Sequence, residues 1–120
     1  MEEKRDELKV RSYLFSLRMI KYLRTLNQRD LTTEVIVKQV LRSATSVGAN
    51  VAEARGSSSK KDFAKFFGHA LKSANETKFW LGLLRDSKIS KSEIINPLIQ
   101  EAKELSNMLG ASIATIRKSS

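Results

Sequence analysis

One histidine, two spaced glutamates and a scatter of serines are the residues whose chemistry comes into question first. His69 is the sole histidine. A metal site on a helix wants further ligands three or four residues away. Those positions hold Lys65, Phe66, Lys72 and Ser73, so His69 has no metal partner. Glu101 and Glu104 are close enough to act as a carboxylate pair, but lysines and solvent-facing positions surround them, and they read as surface residues. No glycine-rich phosphate loop occurs, because Gly56 and the serines after it match no such spacing. No serine or threonine has an activating base other than that one histidine. With no cysteine, thiolate metal sites and disulfides are excluded. The expectation is a protein with no catalytic constellation, no metal and no cofactor.

What remains is cationic. The 120 residues carry 22 Lys and Arg against 13 Asp and Glu, a formal +9. Residues 1–7 hold four acids and two bases, which leaves 20 bases against 9 acids in residues 8–120. Such a body attracts polyanions, nucleic acid first among them. The candidate contacts are Arg11, Arg18, Lys21 and Arg24 on the first helix, and Lys38 and Arg42 on an outward face of the second. Arg55, Lys60 and Lys61 surround the following turn, and Lys65 and Lys72 continue along the third helix. Cations on helices suit phosphate contacts, which position a nucleic acid without reading its sequence. Few aromatics interleave with them, so base stacking is not expected. A solvated basic face that only keeps the protein in solution is the competing explanation.

The elements that must carry these residues are helices. Apolar residues recur every three or four positions, with one proline and five glycines in the whole chain. The spacing predicts helices over about 6–27, 33–55, 59–86 and 90–118. Short connections force antiparallel neighbours, so the expected fold is all-α, an up-down-up-down four-helix bundle in one domain over residues 1–120. Thr32 or Thr33 is expected to cap the second helix, Gly56 to end it in the left-handed region, and Ser59 with Asp62 to cap the third. The fourth start stays open between Ser90 with Glu93 and Asn96 with Pro97. The charged stretch Met1–Glu7 is no signal peptide and no apolar run spans a membrane, which suits a cytoplasmic protein.

Two helices carry more apolar surface than a lone bundle needs. On the first, Leu8, Phe15, Met19, Tyr22 and Leu26 form one stripe, while Val10, Tyr13, Leu14, Leu17 and Ile20 form a nearly opposite one. On the third, Phe63, Phe67, Ala70, Ala74, Thr77, Leu81 and Leu84 share a face, with Phe79 and Leu83 pointing away and Trp80 on the flank. A subunit interface is expected at Val10, Tyr13, Leu14, Leu17, Phe79, Trp80 and Leu83.

The run from Arg42 to Gly56, RSATSVGANVAEARG, followed by Ser59-Lys-Lys-Asp-Phe, carries a resemblance. It is similar to the four-helix proteins encoded in intervening sequences of bacterial 23S ribosomal RNA genes. Their pattern, R-x-A-x-S-[IV]-x-x-N-[IV]-A-E-G and then S-x-x-[DE]-F, falls on Arg42, Ala44, Ser46, Val47, Asn50, Val51, Ala52 and Glu53, then Ser59, Asp62 and Phe63. Ser73-Ala74-Asn75-Glu76 resembles a further G-S-x-x-E stretch. Ala54 stands where the family has glycine, and Ser57 where an arginine commonly follows. The resemblance implies a ring-shaped homopentamer. It also implies kinship with the accessory variability determinant of diversity-generating retroelements, a basic pentamer that binds nucleic acid and a reverse transcriptase. The expected partners are therefore further copies of this chain, nucleic acid with RNA foremost, and a protein such as a reverse transcriptase. The competing expectation is a scaffold ring whose basic surface meets an acidic protein. Asn50 and Glu53 are read either as a site on the oligomer or as a local helix hydrogen-bond set.

Overall fold

The computed structural model describes residues 2–119, with side chains from Glu7 onward. Four helices follow in order: α1 (Glu2–Leu23), α2 (Leu31–Arg55), α3 (Lys60–Asp86) and α4 (Ser92–Lys118). Each packs on its sequence neighbours and α4 returns to α1, so the bundle is up-down-up-down, 48 Å long and about 20 Å across. The register is fixed by polar pairs. Lys60 meets Ser119, Asn75 meets Ser106 and Arg85 meets Asn96, so α3 and α4 run antiparallel.

The core takes the expected faces of α1 and α3 and one apolar face each of α2 and α4. Phe15 and Met19 of α1, Val40, Ala44, Val47 and Val51 of α2, Phe67, Ala74, Leu81 and Leu84 of α3, and Ile95, Leu105 and Leu109 of α4 are fully enclosed or nearly so. Truncating Phe15 or Phe67 to alanine in such a core costs about 3–5 kcal/mol. Small residues set the closest approach. A Cβ on Gly48 would lie 3.2 Å from the backbone oxygen of Ser12, itself fully buried, so α1 presses against α2 at that turn. In α4 a heptad count from Leu98 and Leu105, and from Ala102 and Leu109, leads to Ser112 and Ile116, but these are half-buried and the buried stripe ends on Ile113. A strict seven-residue repeat drifts around a straight helix, and the core follows the helix.

The ends differ from the spacing alone. α1 starts at Glu2, earlier than Asp6, and stops at Leu23 rather than Asn27. The Thr25 hydroxyl donates to the Tyr22 carbonyl at 2.6 Å and Thr25 N–H turns onto the same oxygen, closing the helix early. Asp30, not Thr32 or Thr33, caps α2: its carboxylate accepts from Thr33 N–H at 3.0 Å and from the Thr33 hydroxyl at 2.8 Å. Those bonds hold the Asp30 carboxyl below its ordinary pKa. Gly56 ends α2 at φ −86, in the right-handed region. The Ser57 hydroxyl and N–H both take the Ala54 carbonyl, so no left-handed reversal is needed. The left-handed residue is instead Lys88, at φ 68, in the turn where Ser90 N–H reaches back to the Leu84 carbonyl. Ser59 caps α3 as the spacing predicts, accepting from Asp62 N–H at 3.1 Å. α4 takes neither expected cap. It begins at Ser92 after Lys91, with Pro97 inside the helix, while the Ser90 hydroxyl is bonded to Tyr22 and Asn96 accepts from Arg85.

Candidate nucleic-acid interface

The cations fall into two groups according to what stands beside them. Arg11 is the most committed. Its Nε and Nη2 donate to the two oxygens of Glu101 at 3.1 and 2.6 Å, and Nη2 also reaches Glu104 at 3.0 Å. Glu7 lies 3.9 Å from Nη1. This fork bridges α1 to α4, with the side chains of Arg11 and Glu101 only 28% and 22% exposed. The bonds from Glu101 and Glu104 hold the guanidinium still more firmly protonated, and Arg11 in turn pulls the Glu104 carboxyl below its ordinary value. The glutamates that read as bare surface residues are therefore the acceptors of a seam.

Arg42 is committed in the same way across α2 and α3. It donates to Gln39 of its own helix and to Glu76 of α3, and Glu76 also accepts from Trp80 Nε1 at 2.8 Å. The Trp80 bond first, then Arg42, lowers the Glu76 carboxyl pKa against the opposing effect of its burial. Lys38 pairs with Glu34 one turn away at 3.0 Å. Arg55 is half-buried in the last turn of α2. Asn50 donates to the Ser46 carbonyl at 2.9 Å within its own helix, while Glu53 is exposed.

The second group faces outward. Arg18, Lys21 and Arg24 are exposed along α1. Lys60, Lys61 and Lys65 stand at the start of α3 beside the end of α4, where a cleft of about 500 Å³ is lined by these three, Ala64, Gly68, Ile116 and Arg117. No carboxylate of the described residues lines it. Lys60 Nζ donates to the Ser119 carbonyl at 3.2 Å, and Lys65 Nζ lies 4.8 Å over the Phe66 ring. Arg117 reads in the sequence only as a complement to the α4 dipole. Its place beside Lys60 follows from antiparallel pairing, and that was the available signal. Gly68 gave none.

The outward apolar stripe of α1 is uncovered. Val10, Tyr13, Leu14 and Leu17 are 53%, 64%, 54% and 47% exposed, and on α3 Phe79 and Leu83 are 59% and 38% exposed. Trp80 is half-buried. Among the described residues no three His, Asp or Glu side chains gather as a metal site, and no helix is long and apolar enough to cross a membrane.

Residues 6–111 match the 23S rRNA-intervening sequence protein family. No curated protein matches the chain. Among solved structures, a protein of unknown function from the S23 ribosomal protein family of Bacteroides thetaiotaomicron is similar. It superposes with a TM-score of 0.86 at 34% identity, covering 92% of this chain and 98% of that one.

Proposed function

The chain belongs to the 23S rRNA-intervening sequence protein family, and on that premise we propose that it is a non-enzymatic, oligomeric nucleic-acid-binding protein, an RNA or ribonucleoprotein accessory. The observation that carries this reading is the second group of cations. Arg18, Lys21, Arg24, Lys61 and Lys65 are exposed and have no carboxylate within ion-pair distance among the described residues. An unpaired surface cation keeps its field and its condensable counter-anions, so a polyanion gains most there. Contacts of this type fix phosphates and leave base identity unread. The first group takes no part: Arg11 and Arg42 bridge helices, and Lys38 is paired with Glu34 within α2.

Self-association is supported by the α1 stripe. Val10, Tyr13, Leu14 and Leu17 put four large apolar side chains on one exposed face, which a further copy would cover. A closed ring of five, as the family resemblance implies, brings several sets of unpaired cations onto one assembly. Weak contacts then add through multivalency.

The test is light-scattering mass on the purified protein, alone and with an RNA hairpin, at low and high salt. A multiple of the 13.5 kDa chain mass is expected, gaining RNA at low salt and losing it at high salt. The logarithm of affinity should fall with that of salt by roughly 0.7–0.9 per phosphate neutralised. A monomer, or an oligomer that ignores RNA at low salt, would sink the reading. Retention of an acidic protein with no retention of RNA would move it to the scaffold alternative.

A further inference from the structure

We infer that the cleft between the start of α3 and the end of α4 seats consecutive phosphates of a nucleic-acid backbone. Resting on the nucleic-acid reading above, it gives that reading one location out of the several basic surfaces of the bundle.

Four cations, Lys60, Lys61, Lys65 and Arg117, line the cleft, and no carboxylate of the described residues does. Acids take up Arg11, Lys38 and Arg42, and Arg18, Lys21 and Arg24, exposed along α1, line neither this cleft nor the one between α1 and α4. Asp62, the acid in the first turn of α3, does not line the cleft. Lys60 Nζ donates to the Ser119 carbonyl and hydroxyl, and an ammonium has three N–H donors, so one remains for a phosphate oxygen. The contact of Lys65 with the Phe66 ring holds its stem close to the helix.

The floor is low. Ala64 and Gly68 lie three and seven residues beyond Lys61, on the same face, between the lysines. A Cβ on Gly68 would meet nothing within 4 Å. A glycine inside a helix costs about 1 kcal/mol against alanine, and no contact within the chain requires this one. Its absent side chain lets a bulky backbone come down between the lysines. Gly82 of α3 is equally open but lies outside the cleft.

The occupant is a chain of phosphates rather than a single anion. Lys61, Lys65 and Lys72 follow one another on the exposed face of α3, about 6 Å and about 10 Å apart along the axis. The row therefore runs out of the cleft and continues along the helix, as a polymer would. Lysines here offer point charges with no base-edge readout, so binding tolerates many sequences.

The test is fluorescence anisotropy with a labelled RNA hairpin at low salt, on four proteins: wild type, Gly68→Leu, Gly82→Leu, and Lys61→Glu with Lys65→Glu. The double charge reversal should weaken binding by about tenfold or more and lower the salt slope by about two. Gly68→Leu changes no charge and should cost a similar factor by filling the floor, while Gly82→Leu binds as wild type. Both leucine variants should melt no lower than wild type, since a Cβ at either position meets nothing within 4 Å and leucine is the better helix former. If wild type binds the hairpin and the Gly68 and lysine variants bind equally well, the cleft is wrong and the nucleic-acid reading stands. Equal losses in Gly68→Leu and Gly82→Leu would also overturn the cleft. If wild type ignores the hairpin, both fall together.

Discussion

The α1 seams and the α3–α4 end are made of similar parts put to opposite uses. Each has a mid-helix glycine and basic side chains. At the seams both are consumed inside the molecule: Gly48 admits the Ser12 backbone, and Arg11 is taken up by Glu101, Glu104 and Glu7. At the α3–α4 end both are left over. A Cβ on Gly68 would meet nothing within 4 Å, and Lys61 and Lys65 beside it have no carboxylate within ion-pair distance among the described residues. Residue type does not separate a structural arginine from a functional lysine here. The identity of the groups across the gap does, and those come from distant parts of the chain.

The sharpest way to break this comparison is Arg11→Met. It leaves Glu101 and Glu104 facing each other on a seam where Glu101 is only 22% exposed. Exposed pairs contribute up to about 1 kcal/mol, and breaking buried ones costs about 3–5. The half-buried fork lies between, so a loss of about 2 kcal/mol is expected in urea unfolding, with affinity for an RNA hairpin unchanged. A stable variant that has lost RNA would place Arg11 with the outward cations and dissolve the distinction.

Gly48→Ala addresses the other half. Alanine gains helix propensity by about 1 kcal/mol. Its Cβ would sit 3.2 Å from the Ser12 carbonyl oxygen, backbone held within the packed α1, so the seam must open by a few tenths of an ångström. Overpacking of this kind costs about 1–3 kcal/mol. The net expectation is a loss of about 1 kcal/mol by thermal or urea unfolding. The same substitution at Gly68 should stabilise, because nothing stands in its way. Equal signs at the two glycines would erase the contrast.

Most of the fold was legible, because core faces repeat locally. The Val40, Ala44, Val47 and Val51 series of α2 and the Phe67, Ala74 and Leu81 series of α3 are periodic within one helix, and both are buried. The Arg42 to Phe63 motif is legible for the same reason. Ala44, Val47 and Val51 fill the core, and Ser59 caps α3. The site was legible in kind but not in membership. Arg11 and Lys61 look alike as letters, and what separates them is Glu101, 90 positions from Arg11 and opposite it only once α4 has folded back. Caps failed where two polar residues compete within a turn: Asp30 displaced Thr32 and Thr33 because a carboxylate accepts from the Thr33 N–H and hydroxyl together.

Lys88 provides a stability change at the far end of the bundle, away from the cleft. It sits at φ 68, a conformation in which a Cβ is disfavoured by about 1–2 kcal/mol. Lys88→Gly removes that strain and adds unfolded-state entropy, so a gain of about 0.5–1 kcal/mol is expected. RNA affinity should change little despite the lost charge. A drop as large as that from the cleft lysines would show that net charge, rather than its position, governs binding.

The smallest effect tests the intermediate case, the Arg42–Glu76–Trp80 set between α2 and α3. Glu76 is over a third exposed, so Glu76→Gln should cost under about 1 kcal/mol at neutral pH. Its carboxyl is depressed in the folded state by the Trp80 and Arg42 bonds. A depressed carboxyl contributes stability that is complete above its unfolded pKa, about 4.3, and is lost as pH falls through the lower folded value. Wild type should therefore lose its advantage over the glutamine variant as pH drops below about 5, the two unfolding curves converging in acid. The substitution also leaves Arg42 with Gln39 and a neutral amide in place of a carboxylate. If an arginine outside the cleft binds phosphate whenever its acid is removed, RNA affinity should rise in this variant. If position governs, affinity stays where it was while stability falls, and Arg42 belongs with Arg11 among the residues that hold the bundle together.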